Sequence, residues 1–359
     1  MQIGIVGLPF TGKSTLFDTL LAHKSGEDSY KQKSEAARGV VKVPDERLNK
    51  LTAMFNPKKE IFATIEYIKV PGIEGQKGNA LPAQFLSNVK YVDTILLMIR
   101  QFDSDMYPHP METVDPVRDV NFINSEFLFH DLAIVENRID KLEKLVMKTQ
   151  DEKEKRELKI LQKCHLHLEQ EKPLREMEID DNEELLIRGF QFITIKPILY
   201  VVNINESDIG KTAEIINEFE SIKTPGTKIT ALSAEIEKEI SQLNDEDAQI
   251  FLEDLGISNP ATKKMISESY ELMGLQSFFT VGEDECRSWP IKKGTVAQKA
   301  AGEIHTDLEK GFIRAEVVSY EDLMQHGSLN ACKDKGVLRL EGKEYIVKDG
   351  DILNIRFNV

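Results

Sequence analysis

Cysteine is scarce in this chain: Cys164, Cys286 and Cys332 are scattered, with no C-x-x-C pair. That pattern argues against a zinc site and a disulfide framework, and three reduced thiols are expected. No run of about 20 apolar residues occurs, so no membrane span is expected. The first residues enter an apolar stretch without a basic n-region and h-region, so no signal peptide is expected. The expected location is the cytoplasm. Positive charge is also short: 46 Lys and Arg against 61 Asp and Glu give a formal net charge of −15. Coating nucleic acid non-specifically needs clustered Lys and Arg, so that class is disfavoured, while a local RNA contact on one domain stays open. Internal repeats and low-complexity tracts are absent.

The 359 residues allow two or three compact units, at about 100–200 residues per domain. A hydrophobic content of 41% can fill a core. A charged content of 30% exceeds the usual ~25% and suggests long exposed helices.

Residues 7–14 read G-L-P-F-T-G-K-S and follow the apolar run 3–6. This is the phosphate-binding P-loop pattern, with a strand before it and a helix over 15–22 after it. Gly7 and Gly12 let the backbone curl so that successive N–H groups face phosphate oxygens. Lys13 brings a charge to the β- and γ-phosphates, and Ser14 a hydroxyl ligand for Mg²⁺. Pro9, Thr11 and Thr15 count with the same nucleotide site. The helix N-terminus adds partial positive charge.

Strands are expected at 3–6, 63–70, 94–99 and 198–202, alternating with amphipathic helices. That order implies an α/β fold with a parallel sheet. From 125 to 172 the sequence is charged and lacks glycine. Leu128, Leu132, Val135, Ile139, Leu142 and Val146 form a heptad seam, and a polar break follows at 149–151. The expected element is an inserted antiparallel helical hairpin; a pair of ordinary surface helices is the alternative. Beyond Gly274, short strands with turn signals and a helix at 296–304 mark a small α+β module. The expected domains are 1–124 with 173–275 for nucleotide binding, 125–172 for the hairpin, and 276–359 for the C-terminal module.

After the strand 198–202 comes Asn203-Ile204-Asn205-Glu206. Guanine readers of this class carry Asn-Lys-x-Asp there, the Asp accepting two hydrogen bonds from guanine. Glu206 is one methylene longer, and Ile204 replaces the Lys that lies along the base. A site that loses its specific acceptor loses selectivity. Asn203 can offer a donor to adenine N7. Ser233 and Ala234, ending the stretch 228–232, count with the base pocket. A turn built from Asn and Glu for loop chemistry alone is the bland alternative.

Together these motifs resemble the YchF family, also called Obg-like ATPases. The resemblance rests on the P-loop stretch, on 39–48 (GVVKVPDERL), 85–88 (FLSN), the Asn203-x-x-Glu206 loop, 300–316 (AAGEIHTDLEKGFIRAE) and the end of the chain from Asp349. It implies a GTPase-like domain with the inserted hairpin and a C-terminal TGS-like, ubiquitin-like domain. It also implies ATP preferred over GTP with Mg²⁺, weak hydrolysis, and a switch role at ribosomes or RNA through the TGS-like domain and hairpin. A monomer is expected. The alternatives are a nucleotide-dependent binding module without hydrolysis, or an ordinary GTPase.

Two departures from the family fall on the metal. Where it carries Asp-x-x-Gly, this chain reads Lys69-Val70-Pro71-Gly72; Gly72 is kept and counts with the nucleotide site. Where the family has a Thr that closes over Mg²⁺, Lys33 stands, with Ser34 beside it. Three readings stay open for Lys69: binding without hydrolysis, rescue by Glu74 or Glu66, or a solvent-facing strand end. Ile73 occupies the place of the water-orienting Gln. The resemblance implies His109, between Pro108 and Pro110, as the catalytic residue; an exposed loop His without a task is the alternative.

Overall fold

A computed structural model describes residues 1–22, 37–71 and 82–358. In chain order the first part holds β1 (Gln2–Val6), α1 (Lys13–Ala22), β2 (Ala37–Lys42), α2 (Glu46–Phe55), β3 (Lys59–Ile61), β4 (Thr64–Lys69), α3 (Ala83–Lys90) and β5 (Thr94–Gln101). Then come α4 (Pro116–Thr149), α5 (Glu152–Glu169), β6 (Ile198–Ile204) and β7 (Thr227–Leu232). One six-stranded sheet runs β2-β4-β1-β5-β6-β7. The β1–β4, β1–β5, β5–β6 and β6–β7 pairs are parallel. Strand β6 is buried at every residue and β5 at all but its last. This is why both read as unbroken apolar runs: helices cover the two faces. Val6, Val70, Ile95, Leu97, Ile198 and Val202 anchor the core between them.

The hairpin is α4 and α5. Helix α4 begins at Pro116, nine residues before the charged stretch, capped by Asp115 accepting from Arg118 N–H. Its seam residues Val135 and Leu142 pack with Ile160, Leu161 and Leu168 of α5. The turn falls in the polar break: Gln150 takes the left-handed conformation, and Asp151 caps α5. Buried Asp131 ties α4 to the chain before β6. Its carboxylate accepts from the Ile193 and Thr194 N–H groups and the Thr194 hydroxyl. Burial pushes that carboxyl up to about 6 against these bonds.

Packing divides the chain into two compact units, Met1–Gly39 with Glu66–Met265, and Val40–Ile65 with Ile266–Val359. The second adds β8 (Leu275–Thr280), β9 (Glu285–Lys292), β10 (Phe312–Ser319), β11 (Arg339–Glu341) and β12 (Asp351–Phe357). Its sheet runs β11-β10-β12-β8-β9-β3. The helix Ala297–Ile304 packs Ala297, Ala300 and Ala301 against Phe278, Trp289 and Val317. The segment 40–65, expected in the nucleotide domain, packs here instead. Leu48 and Leu51 share a core with Phe279, Cys286 and Ile352, and β3 pairs with β9. Arg47 reaches both Asp45 (2.8 Å) and Asp349 (2.7 Å). Burial disfavours its charge, but those carboxylates outweigh burial and raise its pKa. All three cysteines are free and buried. Among the described residues no helix is long and apolar enough to cross a membrane.

Candidate nucleotide site

The P-loop lies between β1 and α1. Gly7 has φ +148° and Gly12 φ +97°, values that suit glycine. The space is glycine's as well: a Cβ on Gly7 would stand 2.5 Å from Met98 O, and one on Gly12 2.3 Å from Asn203 Nδ2. Lys13, 8% exposed, points back along the loop and donates to Gly7 O (2.9 Å) and Leu8 O (2.5 Å). Burial first, and then the charge of Lys69, lowers its pKa from 10.5 to about 8. Thr11 is buried with its hydroxyl on Leu8 O (3.1 Å). Pro9 and Thr15 are half-buried, and Ser14 is exposed at the head of α1.

Asn203 joins three loops. Its Nδ2 donates to Thr11 O (3.1 Å), and its Oδ1 accepts from Ala234 N–H (2.9 Å). One of the two Nδ2 hydrogens is therefore engaged inside the protein, fixing the P-loop to the Ser233-Ala234 loop. Ile204 corrects an expectation. It ends β6, is 2% exposed, and packs in the sheet core, so it presents no face to a base. Its neighbour Glu206 is exposed and opens the short helix Glu206–Lys211. Ser233 and Ala234 are buried.

Lys69 is the last residue of β4, held in register with Ile5 of β1. Its Nζ lies 3.4 Å from Ser14 Oγ and 5.6 Å from the centroid of the Phe17 ring. It therefore turns toward the P-loop, which removes the solvent-facing reading. A P-loop serine offers this oxygen to Mg²⁺. A divalent ion about 4 Å from this ammonium would meet repulsion of roughly 8 kcal/mol at a surface-like dielectric. The loop fits a triphosphate; among the described residues, Lys69 beside Ser14 does not fit Mg²⁺. Glu66 lies on β4 near Gln2 and Arg38. Lys33, Ser34, Gly72, Ile73 and Glu74 lie outside the described residues.

The alternative reading of His109, an exposed loop residue, does not hold. Its side chain is 1% exposed, with Nε2 2.9 Å from Asp119 Oδ2 in the first turns of α4. The two atoms are in close contact without forming a hydrogen bond. Nδ1 accepts from Met111 N–H (3.1 Å). Both ring nitrogens face protein, so the ring is not presented to an attacking water.

Sequence reasoning missed the groups that hold this loop. Arg100, 1% exposed, donates to Phe102 O (2.9 Å) and Tyr107 O (2.8 Å). A lone arginine ending the apolar run 94–99 was the available signal. Phe10, at φ +60° in the P-loop, stacks on Tyr107 at 5.6 Å.

Residues 2–203 match a family model described as a 50S ribosome-binding GTPase. Residues 275–358 match the YchF-GTPase C-terminal model, described as a protein of unknown function. The ribosome-binding ATPase YchF of Bacillus subtilis is 40% identical over 100% of both chains. Its counterpart from Escherichia coli O157:H7 is 37% identical over 100% of this chain and 99% of that one. The Schizosaccharomyces pombe YchF GTPase structure aligns with a TM-score of 0.88 at 32% identity, covering 99% of this chain and 97% of that one.

Proposed function

The chain belongs to the YchF family, and from that premise we propose a ribosome-associated switch governed by nucleoside triphosphate on the P-loop. The observation that carries this reading is the loop itself. Two positive-φ glycines, a buried Lys13 and the Asn203 bridge preform a cradle of N–H groups for phosphates. ATP is preferred over GTP, because Glu206 stands where a guanine reader has Asp. The relatives named ribosome-binding ATPases support the partner. The hairpin and the C-terminal module are its contact surfaces, the protein acts as a monomer, and its place is the cytoplasm.

Turnover is slow in this reading. Lys69 stands beside Ser14, and His109 is turned into the protein. These two facts favour a second reading, nucleotide-dependent ribosome binding with no hydrolysis. One experiment separates them: ATP and GTP affinities measured beside single-turnover hydrolysis, with ribosome co-sedimentation in ATP, ADP and no nucleotide. GTP binding ten-fold tighter than ATP, about 1.4 kcal/mol, overturns the base preference. Ribosome binding indifferent to nucleotide overturns the switch.

A further inference from the structure

We propose that Lys69 is a built-in counter-cation, standing where a divalent ion would sit beside the P-loop serine, so that this chain binds nucleoside triphosphate without Mg²⁺. The inference rests on the reading that the P-loop holds a nucleotide.

Position is the first argument. Val70 N–H donates to Ile5 O (3.1 Å), and Lys69 pairs in register with Ile5, so the root of the side chain is fixed by the sheet. Phe17 supports the ammonium from one side, and Ser14 Oγ meets it at 3.4 Å. The charge is therefore held at the mouth of the loop.

Charge balance is the second. Lys13 and Lys69 are close enough for one to depress the pKa of the other. Among the described residues, neither has a carboxylate partner at ion-pair distance. Two neighbouring ammoniums with no acid beside them among the described residues lower their energy when an anion of high charge binds. A triphosphate ordinarily meets one P-loop lysine plus a metal. Here a second lysine brings one charge and three donors to the phosphate oxygens. The metal's role in affinity is thereby replaced. Its role in polarising a transferring phosphoryl group is not, since an ammonium offers no coordination geometry. Slow or absent turnover is the corollary.

The test uses the full chain and labelled ATP, with affinity measured in EDTA and in millimolar Mg²⁺. The wild type should bind ATP with the same affinity in both, within a factor of about three. Lys69→Asp should lose at least about ten-fold in EDTA and recover with Mg²⁺. Lys69→Gln should lose a similar factor in EDTA, with Mg²⁺ restoring less of it. A wild type whose affinity falls ten-fold or more on adding EDTA overturns the proposal, and this arm requires no variant to fold. Binding of neither ATP nor GTP by the wild type in either buffer overturns the nucleotide reading itself, and this inference with it.

Discussion

Asn203 holds Thr11: its Nδ2 donates to the Thr11 carbonyl at 3.1 Å, while its Oδ1 takes the N–H of Ala234 at 2.9 Å. One side chain therefore fixes the P-loop relative to the loop after β7. Both bonds are buried, and losing one strands a carbonyl or an N–H, at about 1–3 kcal/mol each. Asn203→Ala removes both bonds, so it should lower the unfolding free energy by about 2–6 kcal/mol and weaken ATP binding at least ten-fold. Chemical denaturation and nucleotide titration of the same variant check both. Unchanged binding would mean that the bridge does not shape the site.

Lys13 gives a pH dependence. Its folded value is about 8 against an ordinary 10.5. Between those values the unfolded chain binds more protons than the folded one, so this group makes stability rise with pH across that window. Below it the full cost of burying the charge is present, roughly 3 kcal/mol as an upper bound. Lys13→Met should therefore stabilise the nucleotide-free protein at neutral pH, and by less near pH 10. Nucleotide reverses the preference, since phosphate favours the charged amine. ATP affinity should fall as pH rises above about 8, by up to about ten-fold per unit. Melting curves and titrations across pH 7 to 10 read both effects.

Arg47 and Asp349 pair at 2.7 Å, and Asp349 also accepts from Ser277 N–H. The guanidinium further lies 5.2 Å over the ring of Phe279. Arg47→Met should cost about 1–2 kcal/mol, with the exposed side of the pair limiting the loss. Deletion of 276–359 is a poor probe of function for a related reason. It would remove the core beneath Leu48 and Leu51. Surface substitutions at exposed Ile313 or Phe357, read by ribosome co-sedimentation, test the module without that damage.

Glu206 tests the base preference. Glu206→Asp should shift the ATP:GTP affinity ratio toward GTP. Ile204→Lys, the other change that the motif suggests, should unfold or destabilise the protein by several kcal/mol, because it buries a lysine in the sheet core. Paired titrations with ATP and GTP check the first, and a melting curve checks the second.

The nucleotide loop was legible because its residue types answer to chemistry: only certain residues make a phosphate cradle, and their spacing is fixed. The hairpin turn was legible because a heptad seam stops where the polar residues 149–151 begin. Three features were not. Ile204 was placed by motif position, yet in a strand buried on both faces every side chain is claimed by packing. His109 resembled an exposed loop residue until Asp119, ten residues on, closed over it. The packing of 40–65 with the C-terminal unit rests on a three-residue edge strand and two leucines, a signal too short for periodicity. Lys69 could be located in the sequence, but only its 3.4 Å approach to Ser14 set aside the solvent-facing reading.

The loop that carries His109 ends where α4 begins, and Asp119 ties the two together. Helix α4 then runs 34 residues, about 50 Å at 1.5 Å per residue. Its first turns are packed into the sheet core through Val120, Ile123 and Phe127, and Asp131 bonds it to the chain before β6. From Asp131 to Thr149 the helix rises about 27 Å. Its base touches a loop whose Tyr107 leans on Phe10 of the P-loop. A run of contacts, Phe10 to Tyr107 and His109 to Asp119, thus leads from the phosphate cradle to the base of the hairpin.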